Sequence, residues 1–170
     1  MYKISKSNAG FFRGSGGKRK TVSRVVQEIS DFVEEEPDSF YRVVIGTDSQ
    51  AKRLNGKSEI DFVTAIIVHR IGKGARYYWR KQRIARKPVL REKIYTETLM
   101  SLEFAQVIVP KIRAKISPSM YDLEVHIDVG PIGPTRDMIK EVVGMVNGSG
   151  FTAKTKPHSW GASSVADKHA

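Results

Sequence analysis

Four carboxylates stand where an acid is costly unless something cationic meets it. Asp48 follows Val43-Val44-Ile45-Gly46-Thr47, an apolar run that does not alternate with polar residues and so reads as a strand buried on both faces. An acid at the end of such a strand either caps a turn with Ser49 and Gln50 or faces a cation. Glu97 lies in a stretch of helical period. At about 100° per residue, Leu90, Ile94, Ala105, Ile108 and Ile112 share one arc, Glu97 falls at its margin beside Phe104, and Glu92 and Glu103 fall opposite. A glutamate at a buried edge is paired with a base or pointed at an ion. Asp128 closes an alternating segment, with Leu123, Val125 and Ile127 on one side and Glu124, His126 and Asp128 on the other. Asp167 lies in a short helical stretch over 162–170, where it is either surface or held by a ligand. Ser49, His126, His158 and His169 are auxiliary candidates. Histidine titrates near neutral pH, which suits proton transfer or phosphate contact, and a packing or surface role is the alternative for each.

The elements that must position these groups follow from period and punctuation. Residues 1–20 are rich in Gly, Ser, Lys and Arg and read as a basic flexible arm, with residues 21–170 as one domain. Gly14 to Lys18 lacks the spacing of a phosphate-binding P-loop, and no strand precedes it. Thr21 caps a helix whose inward stripe is Val22, Val25, Val26, Ile29, Phe32 and Val33, closed by Glu34-Glu35-Glu36-Pro37. Asn55-Gly56 is a hairpin signal, and Gly72-Lys73-Gly74 is a second turn. The first strand, 60–71 and 75–85 therefore form an antiparallel meander. A helix spans about 89–115, kinked or broken at Pro110. Then come the strand ending at Asp128, a Gly/Pro-rich loop, a helix opening at Pro134, and a last strand over 151–155. A strand, a helix and a strand in succession imply a right-handed parallel crossover.

Twenty-nine Lys and Arg against 18 Asp and Glu give a formal net charge of +11, which favours a polyanionic partner, nucleic acid before membrane. Lys18, Arg19 and Lys20 form one basic cluster. Arg76, Arg80, Lys81 and Arg83 stand among Tyr77, Tyr78 and Trp79 on the third strand, and Lys154 and Lys156 follow the last. Cations with aromatic rings suit phosphates and bases; the other reading of the third strand is a sheet edge guarded by charge. No apolar run reaches the roughly 18–20 residues needed to span a bilayer, and no secretory signal is seen. There are no cysteines, which excludes disulfides and thiolate metal sites and fits a cytoplasmic protein.

The order helix, three antiparallel strands, helix, strand, helix, strand, helix, with acids at these four points, resembles the ribonuclease H-like superfamily over roughly 41–170. Ile45-Gly46-Thr47-Asp48-Ser49 looks like its first catalytic strand, with Ser49 where a glycine is usual. Thr96-Glu97-Thr98-Leu99 with Ala105 is similar to its catalytic-helix pattern, His126-Ile127-Asp128 to its fourth-strand acid, and Ala166-Asp167-Lys168-His169-Ala170 to its Ala-Asp-x-x-Ala ending. The whole chain also resembles the uncharacterised bacterial YkuK family of ribonuclease H-related proteins.

This resemblance implies an α/β fold with a five-stranded mixed sheet flanked by helices. Strands one to three are antiparallel, and four and five run parallel to one. It further implies that strands one and four lie side by side, so that their acid ends meet. The activity implied is phosphodiester hydrolysis in RNA or DNA with two Mg²⁺ or Mn²⁺ ions about 3.5–4 Å apart. Asp48 would bridge both ions, Glu97 and Asp128 would hold the one on the leaving-group side, and Asp167 would hold the one that delivers the nucleophile. No basic insertion for gripping an RNA–DNA hybrid follows the catalytic helix, so ribonuclease H activity in the strict sense is not implied. A catalytically silent nucleic-acid binding module on the same fold is the alternative, and a protein-interaction domain the third.

Overall fold

The computed structural model describes residues 11–170, and its first two elements lie where the sequence reading expected a flexible arm. Strands β1 (Phe11–Arg13) and β2 (Arg19–Thr21) form a hairpin. Phe12 anchors it: its ring is fully buried and stacks on Phe104 at 4.4 Å between centroids. Burying a phenylalanine stabilises by about 2–3 kcal/mol, which offsets part of the ordering cost of a Gly-rich hairpin. From Phe11 onward the expected arm is therefore part of the domain; residues 1–10 lie outside the described residues.

Helix α1 (Val22–Glu35) starts where expected, with the Thr21 hydroxyl accepting from the Arg24 amide at 3.1 Å. Strands β3 (Tyr41–Leu54) and β4 (Lys57–Arg70) are longer than their apolar runs. The two-residue turn Asn55-Gly56, both at positive φ (49° and 76°), extends the ladder to Leu54↔Lys57. Strand β5 (Ala75–Ile84) completes the meander. Helix α2 (Leu90–Arg113) runs through Pro110 for one further turn, burying Ile94, Ala105, Ile108 and Ile112 as the arc requires, while Leu90 is exposed. Strand β6 (Tyr121–His126) ends two residues before Asp128, which leaves the sheet earlier than the alternation implied. A 3-10 turn (Arg136–Met138) opens helix α3 (Ile139–Gly148), strand β7 (Thr152–Lys154) follows, and helix α4 (Gly161–His169) ends the chain.

Among the described residues the sheet has seven strands in the order β2-β1-β5-β4-β3-β6-β7, not five. The added pair is the N-terminal hairpin, which joins through Arg13↔Trp79. Within the other five the expected senses hold: β3, β4 and β5 are antiparallel, β6 is parallel to β3, and β7 is parallel to β6. The third strand of the meander is accordingly not an edge, and Tyr78 is buried. One face of the sheet carries the main core with α1 and α2, and α3 packs on a second cluster around Val125 and Ile127. The opposite face is covered by α4, with Val165 and Ala166 against Val44, Val63, Ala65 and Ile67. No described helix is long and apolar enough to cross a membrane.

Candidate catalytic centre

The parallel register of β3 and β6 ends at Gly46↔His126. Asp48 and Asp128 each lie two residues beyond that last pair, so two adjacent strands deliver two acids to one end of the sheet. Alternation along β3 then sorts the groups by face. Thr47 and Ser49 face α2, whereas Val44 and Gly46 face α4, and Asp48 and Gln50 continue that second row.

On the α2 side the Ser49 hydroxyl donates to Glu97 Oε1 at 2.5 Å. Glu97 is 3% exposed, and its Oε2, also buried, has no hydrogen-bond partner among the described residues. Beneath it the Ser101 hydroxyl donates to the Thr47 hydroxyl at 2.9 Å, and Thr47 and Thr64 share a further 2.9 Å bond. Burial pushes the Glu97 carboxyl up to about 8; the Ser49 hydroxyl opposes this, the charges of Asp48 and Asp128 add to it, and Lys93 opposes it. Asp48 is raised as well, first by burial and then by the charge of Asp128, with a smaller push from Asp167. The Ser49 amide, 2.8 Å from its Oδ1, and Lys93 pull it down.

Asp167 reaches the same end of the sheet because α4 is seated tightly. A Cβ added at Gly46 would stand 2.7 Å from the Ala162 Cβ, and one at Gly161 would stand 2.7 Å from Val44 Cγ1. These two glycines let the helix lie directly on the central strands. His126 fixes its start: Nδ1 accepts from the Trp160 and Gly161 amides, each at 3.2 Å, and Nε2 lies 2.8 Å from Glu124 Oε2. Two amide donors at Nδ1 leave the proton on Nε2, and burial lowers the ring's proton affinity. His126 thus holds α4 in place. Asp167 itself is exposed, and Gln50 donates to its Oδ1 at 3.3 Å.

The other expected site residues are dispersed. His169 stacks on Trp79 at 4.0 Å and bonds the Tyr77 hydroxyl, so these two rings of β5 hold the end of α4. His158 is exposed in the loop after β7. Lys156 binds Asp128 Oδ1 at 3.0 Å. Arg83 is engaged by Asp61, Arg76 by Glu35, Lys20 by Glu28, and Lys81 by the His169 carbonyl. Arg80 lies over the Phe12 and Phe104 rings. Lys18 and Arg19 are exposed on the hairpin, and Lys154 is half-buried. The sequence reading missed Lys93, one helical turn before Glu97, and Gln50, two residues along the face of Asp48. Both offsets were legible as spacings.

Among the described residues no three His, Cys, Asp or Glu side chains converge closely enough to form a ready-made metal site. The donor set nevertheless fits a hard divalent ion. It is all oxygen, two of its carboxyls are raised, and one buried oxygen, Glu97 Oε2, lacks a partner among the described residues.

A meander followed by two parallel strands, with acids gathered where the first and fourth strands end, defines the class of protein. The Ribonuclease H-like family model matches residues 24–170, and the chain belongs to that family. Over 159 residues it is 38% identical to the uncharacterized protein YkuK of Bacillus subtilis (strain 168), covering 87% of this chain and 90% of that one. No solved structure matches.

Proposed function

We propose that this chain is a divalent-metal-dependent nuclease that hydrolyses phosphodiester bonds in RNA or DNA, with Asp48, Glu97, Asp128 and Asp167 holding two Mg²⁺ or Mn²⁺ ions. The observation that carries the reading is the buried Oε2 of Glu97, unpartnered among the described residues, on a carboxyl that the charge of a second raised carboxyl, Asp48, helps to raise. Such pairs cluster at functional sites. When bound, the ions supply water activation and charge stabilisation on the leaving oxygen. The chain's own groups do the rest. The Ser49 hydroxyl holds Oε1 of Glu97 and so leaves Oε2 for an ion. Gln50 orients Asp167, and Lys93 offsets part of the acid repulsion. A cytoplasmic location accompanies this reading.

Mn²⁺-supported cleavage of labelled RNA, RNA–DNA hybrid and single-stranded DNA tests it. Asp48→Asn should lower the rate on the order of 10³-fold, the loss of several kcal/mol of charge stabilisation. Equal rates for wild type and Asp48→Asn on every substrate would refute it. The Lys156–Asp128 pair favours a second reading, a nucleic-acid binding module without turnover. That module would bind in chelator as well as in Mn²⁺, and metal-dependent cleavage would exclude it.

A further inference from the structure

We infer that the N-terminal hairpin is a clamp for an unpaired nucleic-acid strand, feeding the acid end of the sheet. This rests on the nucleic-acid reading above and adds the substrate's form and the residues that grip it. Arg13 and Arg19 are directly opposed across β1 and β2. Like charges directly opposite in a ladder destabilise it, and among the described residues no carboxylate pairs with either. Among the described residues the Arg13 side chain donates to the Gly17 carbonyl at 2.8 Å, and Arg19 lies over the Phe11 ring at 5.4 Å. These two arginines, Phe11, Arg80 and Lys81 line a groove of about 120 Å³. A like-charge pair kept without a counter-ion beside a groove is the arrangement that a phosphate chain relieves.

Phe11 sets the form of the strand. It is 53% exposed, whereas its neighbour Phe12 is fully buried. An exposed ring flanked by cations stacks on a base, and only an unpaired base offers its face. The groove is also aligned with the acids. Lys81 pairs with Val63, which pairs with Asp48, so they share one row across the sheet. β1 is the next strand beyond β5, which puts the clamp three strand spacings, roughly 14 Å, from Asp48. The end of α4 lies between, tied by Lys81 to the His169 carbonyl at 3.0 Å. A strand held on Arg13 and Arg19 therefore reaches Asp167 and Asp48 within a short step.

Fluorescence anisotropy with the full chain in chelator tests this. The probes are labelled oligo(U), oligo(dT) and a blunt duplex of the same length. Arg13→Gln with Arg19→Gln should weaken strand binding at least about 10-fold and make the log–log salt slope shallower by about 1.4, two phosphate contacts on single strands. Phe11→Ala should weaken strand binding roughly 5-fold or more and leave duplex binding unchanged. Removing the opposed charges should leave the melting temperature equal or higher; if the double variant does not fold, either single variant carries the test at half the slope change. Wild-type strand binding that the arginine variants leave intact would overturn the clamp while sparing the nucleic-acid reading. Equal losses on strand and duplex for Phe11→Ala, or none on either, would overturn the unpaired-strand assignment. Wild type that binds no probe would remove both.

Discussion

Asp61 on β4 and Glu97 on α2 are both almost fully buried, at 1% and 3% exposure. Asp61 meets Arg83 through two bonds, 2.6 and 2.9 Å, and Lys52 at 3.2 Å. Arg83 holds its carboxyl below the usual range against the opposing effect of burial. Among the described residues Glu97 meets one hydroxyl and no cation at bonding distance, and burial carries it up to about 8. Desolvation acts on both; what separates them is whether the chain supplies the counter-charge. Where it does, the acid is complete and braces the long β3–β4 hairpin. Where it does not, the acid is left to a proton or to an ion from outside.

The largest test of that contrast is stability against pH. Glu97 is raised from its ordinary value of 4.5 to about 8, so between those values the native state holds a proton that the unfolded chain has lost. Its contribution is full below pH 4.5 and is lost as pH rises through 8, on the order of 5 kcal/mol across the window at about 1.4 kcal/mol per unit. Urea midpoints for Glu97→Gln should lie flatter across the window and exceed wild type above pH 8; parallel curves would break the comparison. Asp61 has the reverse sign. Its lowered value stabilises above 3.8, and that contribution is lost as pH falls through the folded value. Breaking a buried pair costs about 3–5 kcal/mol, but Arg83 and Lys52 are 45% and 33% exposed and can turn to water. Asp61→Asn should therefore cost about 2 kcal/mol at pH 7 and leave Mn²⁺-supported cleavage near wild type. A cleavage loss like that of Asp48→Asn would move Asp61 into the catalytic centre.

The sequence carried Glu97 and not Asp61 for a physical reason. Helical period has a phase, so an acid near an apolar arc stands out in a single sequence, and Glu97 is indeed buried. Asp61 sat at the start of an apolar strand, and its partners Arg83 and Lys52 come from two other strands. The meeting with Lys52 depends on the register set at Asn55-Gly56 and that with Arg83 on the register set at Gly72-Lys73-Gly74; the turn signals marked both without stating how far the ladders ran. The N-terminal hairpin was illegible for a related reason. Three-residue strands have no measurable alternation, and the ring on which Phe12 stacks, Phe104, lies far along the chain. The second strand-end acid, Asp128, was readable as the close of an alternating run. Its pairing with Lys156 was not, because the bond rests on the chain's return along β7.

Smaller effects sharpen the contrast. Ser49→Ala removes the one hydroxyl that favours ionised Glu97, so it should cost about 1–2 kcal/mol at pH 9, less at pH 5, and shift the stability decline to higher pH. An equal cost at both pH values would mean that Ser49 serves packing alone. Asp128 stands between the two buried acids. It has a cation, Lys156 at 3.0 Å, but that lysine is 53% exposed and Asp128 29%, so the pair is worth at most about 1 kcal/mol. The Lys156 stem rests on Gly130, where an added Cβ would lie 3.1 Å from it, so the ammonium is directed at the acid. An ion binding Asp128 must displace an ammonium held this weakly. Lys156→Ala should then tighten Mn²⁺ binding by a few-fold and at most about 5-fold, measured by the loss of the free-ion paramagnetic resonance signal. Unchanged or weaker binding would show that Lys156 does not compete for Asp128, and that this acid, like Asp61, already has the partner it was built for.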